Sequence, residues 1–318
     1  MPIGSLRRPC GLIVAWAVAM LLAVPPIAGA KAKTVSADLR VVGPSGQTLA
    51  QLVQYTGSVR VPTDPNALCF GPGSGGSGNA VTIAGPTALG LVQDGSATAR
   101  ELRPLSVTDA FDFGLGVCGI GGFQAQGSAS WYVKQNHAGA QVAGDQLTVA
   151  KGDHILWYLA PTFPYPQELA LEAPASVELR EPFEVRVLAY ADDGTATPAA
   201  GANVGGRVTD AQGRATLELE SGERLQARRG TDIPSNEVIV CVKPVTECGY
   251  QQTIEGTGEP DKVKGSKLAD KIKARGGNDL VKARGGGPDR INCGTGKRDV
   301  AVVDPDDGVR ACERIKKK

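Results

Sequence analysis

Asp261, Asp270, Asp279, Asp289 and Asp299 follow one another at spacings of nine, nine, ten and ten residues, and this beat constrains the fold more than any other feature of the chain. Two residues after each of the first four stands an aliphatic side chain: Val263, Ile272, Val281 and Ile291. Glycines precede them, as Gly256 and Gly258, Gly265, Gly276-Gly277, Gly285-Gly286-Gly287, then Gly294 and Gly296. A fixed period marks a repeat architecture, in which each unit buries its apolar residue by stacking on the next. The glycine-rich half of each unit must turn, and glycine supplies the backbone freedom for it. The aliphatic residue points inward. Two successive units then make one coil of a short parallel β-roll. On that geometry Asp261 faces Asp279, Asp270 faces Asp289, and Asp279 faces Asp299.

The same unit has a chemical logic. Turn carbonyls converge on one point, and the aspartate adds a hard, charged oxygen there. Calcium takes six to eight such oxygens at ~2.3–2.6 Å. Asp261, Asp270, Asp279, Asp289 and Asp299 are therefore the candidate metal ligands, with calcium as the expected ion. Ala274-Arg275-Gly276-Gly277-Asn278-Asp279-Leu280-Val281-Lys282 comes nearest to a regular unit. With its neighbours it resembles the haemolysin-type, or repeats-in-toxin, calcium-binding repeats. The closing stretch from Cys293-Gly294-Thr295-Gly296 to Ala311-Cys312-Glu313 is similar to the cysteine-closed form of actinobacterial surface proteins. Departures are plain: Glu259 and Leu268 stand where glycine is usual, and Lys262, Lys264, Lys271, Lys273 and Lys282 flank the aspartates. Like charge near a site weakens cation binding. The competing expectation is a roll held by Val/Ile stacking and a disulfide, its aspartates merely capping turns.

Residues 1–30 read as a signal peptide. Arg7 and Arg8 precede an apolar run over 11–24, Pro25-Pro26 break it, and Ala28-Gly29-Ala30 offers a small-residue cleavage site. The run is short for a membrane span of ~20 residues, and no other segment carries eighteen apolar residues in a row. The mature chain keeps Cys69, Cys118, Cys241, Cys248, Cys293 and Cys312. An even count in an exported chain points to disulfides. Fifteen pairings are open, and nearest-neighbour pairing (69–118, 241–248, 293–312) is the simplest.

The whole is expected to be mostly β. Residues 34–160 carry short apolar alternations broken by glycine and proline, with strands expected at 36–42, 57–61, 130–133, 145–149 and 154–158. Trp131-Tyr132-Val133, Gly139-Ala140 and the run from Leu147 to Gly152-Asp153-His154-Ile155-Leu156-Trp157-Tyr158 resemble the close of the transcobalamin-like C-terminal domain. That resemblance implies a β-grasp-like fold and, as the alternative function, a corrinoid-like small ligand bound near Trp131 and Trp157. Residues 161–168 read as a proline-rich linker. Residues 169–243 alternate with period two, and Thr209-Asp210-Ala211-Gln212-Gly213 resembles the hairpin of bacterial immunoglobulin-like modules, which implies a β-sandwich. Residues 254–318 are the repeat segment.

Enzyme signatures are missing. There is no Gly-x-Ser-x-Gly. The two histidines, His137 and His154, exclude His-Glu-x-x-His, and His154, in a strand after a turn, has no evident acid–base partner and is expected to be structural. Lys+Arg total 34 against 33 Asp+Glu, a net charge of +1 that argues against bulk nucleic-acid or membrane-surface binding. The expectation is a secreted or cell-surface, non-enzymatic structural or binding protein with calcium-binding repeats.

Overall fold

The computed structural model describes residues 34–317 except 70, 162, 244–248 and 286. The expected signal peptide and Cys248 lie outside the described residues. The chain is mostly β, as its patterning requires.

The first ten strands are β1 (Val35–Val42), β2 (Thr48–Thr56), β3 (Val59–Pro62), β4 (Ala80–Ile83), β5 (Leu105–Thr108), β6 (Gly116–Ile120), β7 (Phe123–Gln124), β8 (Ser130–Gln135), β9 (Ala138–Gly139) and β10 (His154–Ala160). β1 and β10 run parallel in the centre of a sheet, with Leu39 beside Ile155 and Val41 beside Trp157. Antiparallel β2 flanks β1, and antiparallel β8 flanks β10. First and last strands side by side, with one helix on the sheet, is the β-grasp arrangement. The helix, α1 (Ala88–Ser96), buries Leu89, Leu91 and Val92 in one core with Leu39, Val41, Ile155 and Trp157. Thr87 caps it: its Oγ1 accepts the Gly90 amide at 3.1 Å.

The same helix explains one difference from the sequence reading. Residues 145–149 are turns with a single bridge from Thr148 to Thr87, not a strand. The carbonyls of Gly144 and Leu147 accept the amides of Leu89 and Ala88, which as first-turn donors have no partner within the helix. A segment spent on capping a helix cannot also pair as a strand.

The second unit comprises β11 (Glu168–Glu172), β12 (Ser176–Val177), β13 (Phe183–Tyr190), β14 (Ala196–Pro198), β15 (Asn203–Val204), β16 (Arg207–Val208), β17 (Arg214–Leu217), β18 (Glu223–Leu225) and β19 (Val238–Val242). One sheet is built around β13, which pairs β11, β14 and β17; a second is β12-β19-β18. Leu169, Leu171, Val185, Val187 and Leu217 share a core with Leu225 and Val240. Asp210 is a turn former, accepting the amides of Gln212 and Arg214 through Oδ1. Glu168, expected in the linker, instead opens β11 opposite Tyr190 and is buried. Its carboxylate is held there by Arg40 of β1.

The tail winds as its period predicts. β20 (Gln252–Glu255), β22 (Asp270–Lys273), β24 (Arg290–Asn292) and β26 (Gly308–Arg310) form one parallel ladder. β21 (Lys262–Lys264), β23 (Leu280–Ala283), β25 (Val300–Val303) and β27 (Arg314–Lys317) form the other. Ile254, Ile272 and Ile291 stack on one wall, and Val263, Val281 and Ala301 on the other, all in one core. Lys316 and Lys317 pair with Val302 and Val303 as an exposed edge strand.

The roll is also no separate appendage. β20 pairs in parallel with β2, Val53 beside Ile254 and Gln54 beside Glu255, so one sheet of nine strands runs from the first unit into the roll. Tyr55 enters the roll's core; its hydroxyl donates to the Lys262 carbonyl at 3.1 Å and accepts the Lys264 amide at 3.3 Å. The edge of β2, otherwise a row of unpaired backbone groups, serves as the template on which the first coil is laid.

Two of the expected disulfides are formed, Cys69–Cys118 and Cys293–Cys312. The third pairing falls on Cys248, outside the described residues. Cys293 is buried in the roll's core, so its bond to Cys312, 19 residues on, pins the last coil. Replacing both of these cysteines by serine should cost about 3 kcal/mol by loop-closure entropy. Urea unfolding of the double variant against the parent checks it.

Candidate metal centre

The aspartates of the repeat are held in two ways. In the first two units the carboxylate closes the local loop: Asp261 Oδ2 accepts the Thr257 amide (2.7 Å) and hydroxyl (3.0 Å), and the Asp270 carboxylate accepts the Ser266 amide (2.6 Å) and hydroxyl (2.9 Å). In the later units one oxygen reaches the coil before. Asp279 Oδ1 accepts the Asp261 amide at 2.8 Å, Asp289 Oδ1 the Asp270 amide at 2.8 Å, and Asp299 Oδ1 the Asp279 amide at 2.7 Å. These are the three facing pairs expected from the spacing. Two rungs were not anticipated. Asp307 Oδ1 accepts the Asp289 amide, and Glu313 Oε2 accepts the Asp299 amide. The carboxylates thus form two files, 261–279–299 closed by Glu313, and 270–289–307. The spacing of 18 from Asp289 to Asp307 could have revealed the first of these; Glu313 breaks the period and gave no signal.

The turns leave no room to spare. A Cβ on Gly296 would lie 2.3 Å from the Gly277 carbonyl oxygen and 2.5 Å from Asp299 Oδ2. Gly277 sits at φ +107, where a side chain is strained in any case. Glycine is required at both positions because the carboxylate and the neighbouring coil occupy the space.

All five predicted aspartates are buried. Burial pushes the Asp279 carboxyl up to about 7; the amide of Asp261 opposes this, and the charges of Asp261 and Asp299 add to it. Asp289 is likewise pushed up to about 7 by burial, against the Asp270 amide and with Asp270, Asp307 and Asp304 adding repulsion. Burial also raises Asp261 and Asp270. The flanking lysines do not relieve this. Lys262, Lys264, Lys271 and Lys282 alternate outward into solvent, and Lys273 pairs with Glu255 at 2.6 Å.

The two files differ in one respect. Asp261 Oδ1, Asp279 Oδ2 and Asp299 Oδ2 are buried without a hydrogen-bond partner. No carboxylate oxygen of Asp270, Asp289 or Asp307 is left so. Unpaired buried anionic oxygens are costly, and a hard cation is the chemistry that would satisfy them. Among the described residues no three His, Cys, Asp or Glu side chains are placed to hold one metal ion. An ion in this file would therefore draw most of its oxygens from turn carbonyls and water.

The other sequence features are structural or are completed elsewhere in the chain. Trp131 Nε1 donates to the Phe123 carbonyl at 2.8 Å and Trp157 Nε1 to the Ala88 carbonyl at 3.3 Å, both indoles in the first core. The groove they share with Leu115, Val133 and Val142 measures about 160 Å³. His154 does have an acid–base partner, contrary to the sequence reading: its Nδ1 lies 3.0 Å from Asp38 Oδ2, on the strand beside it. No helix among the described residues is long and apolar enough to cross a membrane. No protein-family model matches the chain, and neither a curated protein nor a solved structure matches it.

Proposed function

We propose that this chain is an exported, non-enzymatic structural or binding protein whose roll takes up calcium along the 261–279–299 file. The observation that carries the reading is the row of buried, unpaired oxygens of Asp261, Asp279 and Asp299, one per coil, with Arg275 acting on Asp261 alone. The export half of the proposal draws support from the signal-like residues 1–30 and from disulfides, which persist in oxidising compartments. Secreted or surface-bound protein meets calcium freely, so a site with Kd of about 0.1–1 mM, the range of extracellular modules, would be filled.

Calorimetric titration of the mature chain with calcium chloride at pH 8 tests the reading. Saturable uptake is expected. Asp279→Asn should abolish most of it, whereas Asp270→Asn, in the file without orphan oxygens, should leave it in place. Absence of uptake, or equal loss in both variants, would refute the assignment. Asp279→Ala is informative without calcium. It strips the acceptor from the buried Asp261 amide and should cost about 2 kcal/mol, while Asp279→Asn keeps an acceptor there and should cost little. The alternative small-ligand reading at Trp131 and Trp157 gains no comparable support, because their groove is smaller than the ~300–1,000 Å³ of typical ligand pockets.

A further inference from the structure

A larger cavity, of about 500 Å³, opens where the first unit, the second unit and the start of the roll meet. Its walls come from β1, β2, β10, β11, β13, β18 and β19 and from residues 250–253. Both histidines of the chain line it, although 17 residues separate them in sequence. Their rings stack with centroids 5.9 Å apart, and His137 lies flat on Tyr190 at 3.8 Å.

The charges of this cavity cancel pair by pair. Arg40 binds Glu168, which His137 Nδ1 also approaches to 3.1 Å. His154 meets Asp38 at 3.0 Å, Arg224 meets Glu237 at 2.7 Å, and Glu172 faces Arg186 at 3.9 Å. Each carboxylate on the wall therefore has a basic partner, an arginine for Glu168, Glu172 and Glu237 and a histidine for Asp38. Hydrogen-bonding capacity is what remains. Glu168 is 3 % exposed and lines the cavity, and its Oε2 has no partner. A buried acceptor of this kind asks for a donor. Tyr250 lines the cavity too and is partly exposed; the Arg290 guanidinium lies 5.8 Å over one face of its ring, so a sugar would pack on the other.

The wall is also built under strain. Asn136 and His137 form the two-residue turn between β8 and β9, with φ of 51° and 73°. Such turns favour glycine at the second place. A histidine there is strained, and its ring is held between Tyr190 and Glu168.

We infer that this cleft binds a neutral carbohydrate, a short oligosaccharide whose hydroxyls meet Glu168, His137 and His154 and whose ring packs on Tyr250. A paired-off charge set disfavours ions, and the mixture of fixed acceptors, donors and an aromatic face matches a ligand rich in hydroxyls and C–H surface. The inference does not depend on calcium in the roll.

Because the chain has two histidines and both line this cavity, imidazole carbon signals of the ¹³C-histidine-labelled mature chain report on it alone. Titration with cellobiose, maltose and diacetylchitobiose should move both signals saturably with at least one of the three, and Tyr250→Ala should weaken that response about ten-fold. Signals that ignore all three sugars up to ~50 mM would overturn the inference. So would a response to agmatine or phosphate without one to any sugar, or an affinity that Tyr250→Ala leaves unchanged.

Discussion

Replacing Arg40 by alanine should lower the stability of the chain by about 4 kcal/mol, the loss expected when one member of a buried ion pair is removed. Arg40 is a buried tie between the first two units. One guanidinium nitrogen donates to the Pro234 carbonyl at 2.6 Å and the other to Glu168. Without it Glu168 stays buried with its charge, facing only His137 and the more distant Lys134. Burial alone would raise the Glu168 carboxyl; His137, Arg40 and Lys134 hold it below the usual range instead. Arg40→Lys should fall between, since a single ammonium cannot fork to both acceptors. The double variant Arg40→Ala/Glu168→Gln should recover more than half the loss, because the stranded charge has gone. Chemical denaturation of the four proteins measures the cycle. If Arg40→Ala costs less than about 1 kcal/mol, as a solvent-exposed pair would, the pair is not buried as described.

The second large effect is a dependence on pH with an unusual sign. Asp279 and Asp289 titrate near 7 in the folded chain and near 3.9 when unfolded. A carboxyl whose folded value is raised favours folding while it is protonated. That contribution is complete below the unfolded value and is lost as pH climbs through the folded one. In the absence of divalent cations the roll should therefore be more stable near pH 5 than near pH 8. Allowing for solvent that screens the turns, the loss should be about 2 kcal/mol per carboxylate, or about 4 kcal/mol for the pair. Glu168 works in the opposite direction: its lowered pKa gives stability above the unfolded carboxylate range that is lost only under stronger acid. The curve should then pass through a maximum in mild acid. Asp279→Asn/Asp289→Asn should flatten its alkaline side and leave the acid side unchanged.

How much of this could be read in the sequence follows from the range of each interaction. The coil of the roll and the facing pairs 261/279, 270/289 and 279/299 were legible, because stacking forces a local period on the residues that stack. The docking of the roll was not. Val53 and Ile254 pair across some two hundred residues, and no local pattern encodes that. The short helix α1 was missed because it carries two glycines in nine residues, Gly90 and Gly95, and its start is signalled by Thr87 alone. Gly95 nonetheless suits its place, since a Cβ there would come within 2.8 Å of the Leu39 side chain, which would have to shift. The cavity cluster of Asp38, Arg40, His137, His154 and Glu168 was invisible for the same reason as the docking. Its members lie on three separate strands and one turn, and only the parallel pairing of β1 with β10 and the packing of β11 bring them together.

The central claim is that stacked carboxylates in the roll need either protons or a cation, and one thermal experiment addresses it. The melting temperature of the mature chain is measured at pH 5 and pH 8, each with chelator and with ~10 mM calcium. Calcium should raise the melting temperature by several degrees at pH 8, restoring what deprotonation removed, and should do little at pH 5. Melting temperatures that calcium leaves untouched at pH 8, or that rise equally at both pH values, would contradict the account.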